Sequence, residues 1–155
     1  MIKITVEKTN LGRNFPIPKY ETDFSSGVDL MAAINKPIKI NAADIKLIPS
    51  GIKLKIPQGY EGQVRSRSGL ALKFGISVLN SPGTIDSDYR GEISVILINH
   101  GKKSFMIDPG MRIAQLVIIP ISKCLFVEEV INTLETKRGS GGFGSTGIKT
   151  REKDA

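Results

Sequence analysis

The stretch N-S-P-G-T-I-D-S-D-Y-R-G-E-I-S-V, residues 80–95, decides how this chain is read. Pro82 and Gly83 make a turn, Thr84 and Ile85 begin a strand, and an apolar strand resumes after Gly91. Between the strands, Asp86, Asp88, Tyr89 and Arg90 crowd into one short segment. The pattern predicts a β-hairpin with chemistry at its tip: a proton acceptor, a flat apolar face bearing a hydroxyl, and an anion-pairing group. Taken alone, the same residues also fit a solvated polar turn, because Asp, Ser and Gly are ordinary turn formers.

Outward from this segment the chain reads as short strands separated by turn chemistry. Upstream, residues 1–8 alternate apolar and polar, Pro16 and Pro18 keep 15–20 extended and non-helical, and Ser25-Ser26-Gly27 is a turn. Strand-prone runs follow at 28–33, 37–40, 45–48, 52–56 and 60–66, with Pro49-Ser50-Gly51 predicted as a turn between two of them. The one predicted helix is short, 69–74, and Gly75 stops it. Downstream, 93–98, 104–107, 113–119 and 125–131 complete an all-β pattern. Strands at this spacing imply a two-sheet sandwich, jelly roll or barrel. The runs 93–98 and 115–119 are apolar at nearly every residue, which predicts burial on both faces, by the second sheet or by another subunit.

With 155 residues, 40% of them hydrophobic, the chain has material for one core, predicted over residues 1–135. The rest, 136–155, has almost nothing to bury and is predicted to be a flexible arm. A formal charge of +7 makes anions suitable partners without choosing among them. No Trp and only 6% aromatics argue against nucleic acid as the partner, and no apolar run approaches membrane-spanning length. The single cysteine, Cys124, reads as a small buried apolar residue and is compatible with a reducing, cytoplasmic setting, with nucleus or organelle left open. His100, the only histidine, follows a strand and reads as structural or surface.

Residues 139–144 fit the spacing G-x-G-x-x-G, yet no strand precedes them and no helix can follow, so the dinucleotide fingerprint is excluded. What survives is backbone N–H groups able to wrap an anion, with Arg138, Ser145 and Thr146 as added donors. Phe143 is either a linker residue or an aromatic lid for a flat ligand. Arg65-Ser66-Arg67-Ser68-Gly69 sets guanidinium and hydroxyl groups just before the short helix. Arg112 and Gln115 open an apolar strand, and Asp29 lies in a similar setting, where polar side chains call for partners. For Arg112 an internal salt bridge and a ligand contact are both open.

Taken together, these segments resemble the trimeric deoxyuridine triphosphatase (dUTPase) family. Its motifs stand in order as S-S-G-V-D-L-M-A-A (25–33), R-S-R-S-G-L-A (65–71), L-N-S-P-G-T-I-D-S-D-Y-R-G (79–91), G-M-R-I-A-Q (110–115) and R-G-S-G-G-F-G-S-T-G (138–147). Ser66 stands where a proline is usual and Met111 where an acidic residue is common.

The resemblance implies a jelly-roll homotrimer whose sites are each shared between subunits, and Mg²⁺-dependent hydrolysis of dUTP to dUMP and pyrophosphate. On this carry-over Asp86 activates the water that attacks the α-phosphate, and Tyr89 lies against the deoxyribose. Asn80 reads uracil together with the backbone of Gly83, Thr84 and Ile85. Arg67, Ser68, Gly69, Gln115 and Arg138 hold phosphates, with Gly144, Ser145 and Thr146 beside them. Phe143 closes over the base, and Asp29 reaches the metal through water. The residues suit these roles, since phosphoryl transfer depends chiefly on positioning and on neutralising charge. A deoxycytidine triphosphate deaminase shares fold and ligand but keeps a different segment at I-D-S-D-Y-R-G. A nucleotide-binding module without turnover is disfavoured by the intact Asp86, and a basic barrel for single-stranded nucleic acid by the scarce aromatics.

Overall fold

The computed structural model describes residues 2–132, 136–143 and 145. It divides the chain into two units, Met1–Ser122 and Lys123–Ala155. The first unit holds every regular element found among the described residues. These are β1 (Thr5–Lys8), a 3₁₀ turn (Leu11–Asn14), β2 (Val28–Met31), β3 (Ile38–Ile40), β4 (Ile45–Lys55), β5 (Tyr60–Arg65) and α1 (Ser68–Phe74). They continue with β6 (Ile76–Val78), β7 (Gly83–Ile85), β8 (Glu92–Asn99), β9 (Phe105–Ile107) and β10 (Arg112–Pro120). Two four-stranded antiparallel sheets, ordered β1-β4-β8-β6 and β2-β10-β5-β7, form a jelly-roll sandwich, and β3 pairs β9 beside them.

Both sheets bury alternate side chains into one core. Ile48, Leu54, Ile93, Val95 and Leu97 enter from the first sheet, and Leu30, Val64, Ile113 and Leu116 from the second. At roughly 25 cal/mol per Å² of apolar surface removed from water, this burial is the dominant favourable contribution to folding.

The topology corrects the hairpin expected at 80–95. β7 pairs with β5 in one sheet, while β8 pairs with β4 and β6 in the other. The segment is therefore a corner where the chain crosses between sheets, and its polar residues lie at the sandwich edge. Sequence alternation reports which face of a strand is buried, and it says nothing of which neighbour the strand pairs with.

Further expectations change. Residues 45–48 and 52–56 are joined in one strand, β4, whose register against β8 shifts between Pro49 and Lys53. A bulge replaces the expected turn: Gly51 takes φ +76°, its N–H donates to Glu92 Oε1 at 2.9 Å, and Ser50 Oγ donates to Ile93 O at 2.6 Å. Within one chain, β8 turns Ile93, Val95 and Leu97 into the core and leaves Ser94, Ile96 and Ile98 half-buried, on the face for which another subunit is one of the two expected covers. Residues 125–131 form no strand, and Leu125, Phe126, Val130 and Ile131 are exposed, because a strand needs a neighbour to satisfy its backbone groups. Cys124 is likewise exposed rather than buried.

A buried amide ties the ends of three strands together. Asn99 Nδ2 donates to Ile40 O at 3.0 Å and to Lys103 O at 2.8 Å, and Oδ1 accepts from Gly101 N at 2.8 Å. Asn99→Ala leaves these partners unpaired, and the expected cost is about 2–4 kcal/mol of unfolding free energy in urea titration. A loss below about 0.5 kcal/mol would mean that water replaces the amide.

Candidate active site

The corner between the sheets opens onto a cavity of about 360 Å³. Its apolar floor includes Val64, Val78, Ile93 and Val95, and its polar rim carries Asn80, Thr84, Asp86 and Tyr89. Gly83 sits in the wall with little room for a side chain: a Cβ there would lie 3.1 Å from Asn80 Nδ2 and 3.4 Å from Val64 Cβ. The turn is closed by Tyr89 N–H donating to Asp86 O at 3.2 Å. Tyr89 Oη donates to Glu92 O at 3.1 Å, which folds the phenol ring over Gly91. Asp86 lines the cavity, whereas Asp88 does not. Both carboxylates are solvent-exposed, so the structure separates them by position at the cavity and not by burial.

A second group of residues forms on the outer face of the other sheet. In the ladder, Asp29 lies opposite Gln115, which on its other side lies opposite Arg65. Directly opposed residues of antiparallel strands project to the same face. Arg67, just beyond β5, folds back onto this row. Its Nη1 donates to Arg112 O at 3.0 Å, and its Nε lies 3.0 Å from Asp29 Oδ1. Arg112 Nη1 donates to Asp29 Oδ2 at 3.0 Å and lies 3.8 Å from Glu21. Of the two readings left open for Arg112, the internal salt bridge is present. Asp29 Oδ1 is buried and accepts no hydrogen bond, so its contact with Arg67 is an ion pair without an aligned N–H.

Two hollows flank this row. One, of about 380 Å³, is lined by Ser25, Ser26, Gly27, Asp29, Arg67, Arg112 and Gln115 among others. The other, of about 240 Å³, adds Ser68, Gly69, Leu70, Lys73 and Phe74 to Arg67 and Gln115. Neither shares a lining residue with the cavity at the corner. One chain therefore brings together Asn80, Gly83, Thr84, Ile85, Asp86 and Tyr89 in one place, and Asp29, Arg67, Ser68, Gly69 and Gln115 in another. Ser66, in the place where proline is usual, accepts a hydrogen bond from Val78 N at 2.9 Å and so tethers its loop to β6. Met111 packs against the core.

In the second unit, Arg138 Nε donates to Gly141 O at 2.9 Å, and Gly141 N–H returns a bond to Arg138 O at 3.0 Å. Gly139 N–H donates to Thr136. These two glycine N–H groups are thus engaged within their own turns. Ser145 N–H donates to Gly142 O at 3.0 Å, and Phe143 is fully exposed at φ +47°. Gly144 and Thr146 lie outside the described residues.

Sequence reading missed Glu92, which lines the corner cavity and whose carboxylate holds Gly51 N–H, and Glu21 beside Arg112. Ser94, the polar interruption in an apolar strand, was a visible signal for the first, since it lies in the same wall.

For a divalent cation, the donor set is selective. No group of three or more His, Cys, Asp or Glu occurs among the described residues, and the Asp29 carboxylate already faces two guanidinium groups. This arrangement does not suit a metal bound directly by protein carboxylates. It suits a Mg²⁺ carried on phosphate oxygens and water.

A family model described as dUTPase matches residues 13–147. A deoxyuridine 5'-triphosphate nucleotidohydrolase of Rickettsia rickettsii (strain Sheila Smith) is 56% identical over 147 residues, covering 94% of this chain and 99% of the relative. One from Rickettsia canadensis (strain McKiel) is 59% identical over 133 residues, covering 85% of this chain and 88% of the relative. Among solved structures, the Staphylococcus bacteriophage 80alpha dUTPase with dUPNHPP has a TM-score of 0.84 at 24% identity, covering 96% of this chain and 100% of its own. A variant dUTPase from phage phi11 of S. aureus, described with a structural Mg(II) ion, has a TM-score of 0.69 at 22% identity, covering 88% and 99%. At these identities the structural likeness bears on the fold alone.

Asp29→Asn would leave the Arg67 and Arg112 guanidinium groups side by side without the carboxylate between them. The expected loss is roughly 1–3 kcal/mol in urea titration, lower than for a fully buried pair because both arginines reach water. Arg112→Met in the same background should then cost less than Arg112→Met alone, and simple additivity would show that the pair is not coupled.

Proposed function

The chain belongs to the dUTPase family, and from that premise we propose that it hydrolyses dUTP to dUMP and pyrophosphate, removing a source of uracil in DNA and supplying dUMP for thymidylate synthesis. The observation that carries this reading is the corner cavity, where Asp86 and the Tyr89 phenol share one slot with Asn80, Gly83, Thr84 and Ile85. A slot with an apolar floor and a polar rim fits a planar base and its sugar. Asn80 and the β7 backbone pair with the uracil edge, Tyr89 packs on the deoxyribose, and Asp86 takes a proton from the attacking water. Arg67, Ser68, Gly69 and Gln115 bind the phosphates, and their charge and N–H groups stabilise the negative charge that spreads over the leaving oxygens. Mg²⁺, when bound to the triphosphate, supplies further charge neutralisation.

In one chain the base slot and the phosphate ligands line separate hollows. A homotrimer resolves this by setting the slot of one subunit against the phosphate face of the next, with Arg138, Phe143, Gly144, Ser145 and Thr146 delivered by an arm. The uncovered apolar side chains Ile45 and Leu47, next to the half-buried Ile98 and Ile96 in the ladder, support such a contact. The assembly acts in the cytoplasm.

The direct test is pyrophosphate release from dUTP compared with dCTP, dTTP and UTP, with and without Mg²⁺; equal rates for dUTP and dCTP would remove the reading. Asp86→Asn should bind dUTP nearly as the parent does and lower kcat by roughly 10²–10⁴, whereas Asp88→Asn should change it little. Retention of more than half the parent kcat in Asp86→Asn would reassign the base. Tyr89→Ala should narrow the preference for dUTP over UTP, because exclusion of the ribose hydroxyl is steric; an unchanged ratio of kcat/KM values would place sugar selection elsewhere.

A further inference from the structure

Beyond the C-terminal end of α1 lies a hollow of about 380 Å³ that none of the roles above uses. Lys73, Lys102 and Lys103 line it, and no Asp or Glu does. Phe74 and Phe105 complete its apolar wall, their ring centroids 4.9 Å apart at 44°. The lysine-bearing turn after β8 is fixed in place rather than loosely attached. His100 N–H donates to Gly75 O at 2.8 Å, and a Cβ on Gly75 would come within 2.6 Å of Gly101 N, so turn and helix end approach as closely as glycine permits. From below, the buried Asn99 amide holds both Gly101 N and Lys103 O. Three lysines thus line a hollow whose backbone is held in place, and none of them forms an ion pair with a carboxylate among the described residues.

The position of this hollow suggests what it takes. Lys73 and Phe74 also line the hollow that contains Arg67, Ser68, Gly69 and Gln115, so the two hollows adjoin through α1. The lysine hollow has no residue in common with the base slot at the corner. Cationic surface therefore continues from the phosphate ligands past the C-terminal end of α1. Lysine ammonium groups are compact, rotatable point charges that accept an anion in many orientations, whereas fixed planar recognition would call for arginine. We propose that this hollow is a secondary subsite for inorganic pyrophosphate, which receives the leaving anion as it moves off the phosphate ligands. The proposal rests on the dUTP hydrolysis reading above. No bond forms or breaks there: the anion exchanges one set of cationic partners for another.

The test titrates inorganic pyrophosphate into the ¹⁵N-labelled full chain and compares the parent with the double variant Lys102→Ser/Lys103→Ser. These side chains are exposed, and the Asn99 contacts use backbone atoms, so the variant keeps its anchor. The parent should show saturable amide shifts at residues 75 and 101–104, and the double variant should bind there roughly three- to thirtyfold more weakly. Lys102→Arg/Lys103→Arg should stay within about threefold of the parent, because charge is retained. Added salt should weaken the parent's binding more than the serine variant's. Single-turnover hydrolysis of dUTP should be unchanged in the serine variant. Equal affinity in parent and serine variant, or shifts confined to the Arg67 and Gln115 hollow, would overturn the proposal. So would equally strong shifts at 101–104 from dUMP or from a short single-stranded oligonucleotide, which would assign the hollow to a nucleoside or nucleic acid. Failure of the hydrolysis reading is seen separately, as a parent that releases no pyrophosphate from dUTP whatever the hollow binds.

Discussion

The site depends on the double pairing of β5. On one edge β5 holds β10, with Arg65 opposite Gln115 and Val64 opposite Leu116; on the other it holds β7, with Val64 opposite Gly83. Slipping either ladder by one residue would turn every side chain of that strand to the other face. Gln115 would enter the core and Leu116 would face solvent, and Gly83, the residue that fits beneath Asn80, would leave the slot. Burial of Leu30, Val64, Ile113 and Leu116 makes that slip costly, so the hydrophobic pattern that folds the sheet also sets where its polar residues stand.

The same arrangement shows what the sequence made legible. Alternation located most strands, and Gly75 at φ +71° ends the short helix where the glycine stands. The choice of Asp86 over Asp88 came from the motif resemblance; in the structure Asp86 lines the corner cavity and Asp88 does not. Pairing partners were not legible. The corner at 86–91 reads as a hairpin because two strands flank a polar turn, yet its strands belong to different sheets. Pro49 and Gly51 read as a turn because a bulge uses the same residue types. β6 is too short to leave a periodic signature. The apolar residues at 125–131 signal strand chemistry, but they pair with no strand among the described residues. An internal salt bridge was one of two readings for Arg112, but its partner Asp29 and the part of Arg67 were not legible, because the ladder that aligns Asp29 with Gln115 joins strands far apart in sequence.

The separation of the two ligand groups gives the proposed trimer its physical basis. A nucleoside triphosphate has one end that wants a flat, partly apolar slot and another that wants cations and N–H donors. This chain builds the slot at the edge of the sandwich and the cationic row on the outer face of a sheet, and each is rigid because strands support it. Closed symmetry allows one copy's slot to meet another copy's row at no cost in new secondary structure. In the proposed trimer, the arm that carries Arg138 and Phe143 serves such a junction.

That division between chains is tested most directly by complementation. Asp86→Asn chains and chains ended after Glu135, each inactive as homotrimers, are unfolded together in equal amounts, refolded and checked for mixed trimers. If Asp86 and the arm reach each site from different subunits, roughly a quarter of the sites combine both intact groups, and dUTP hydrolysis returns to about that fraction of the parent rate. Verified mixed trimers with no activity above the two inactive parents would place both groups on one subunit and contradict the shared site.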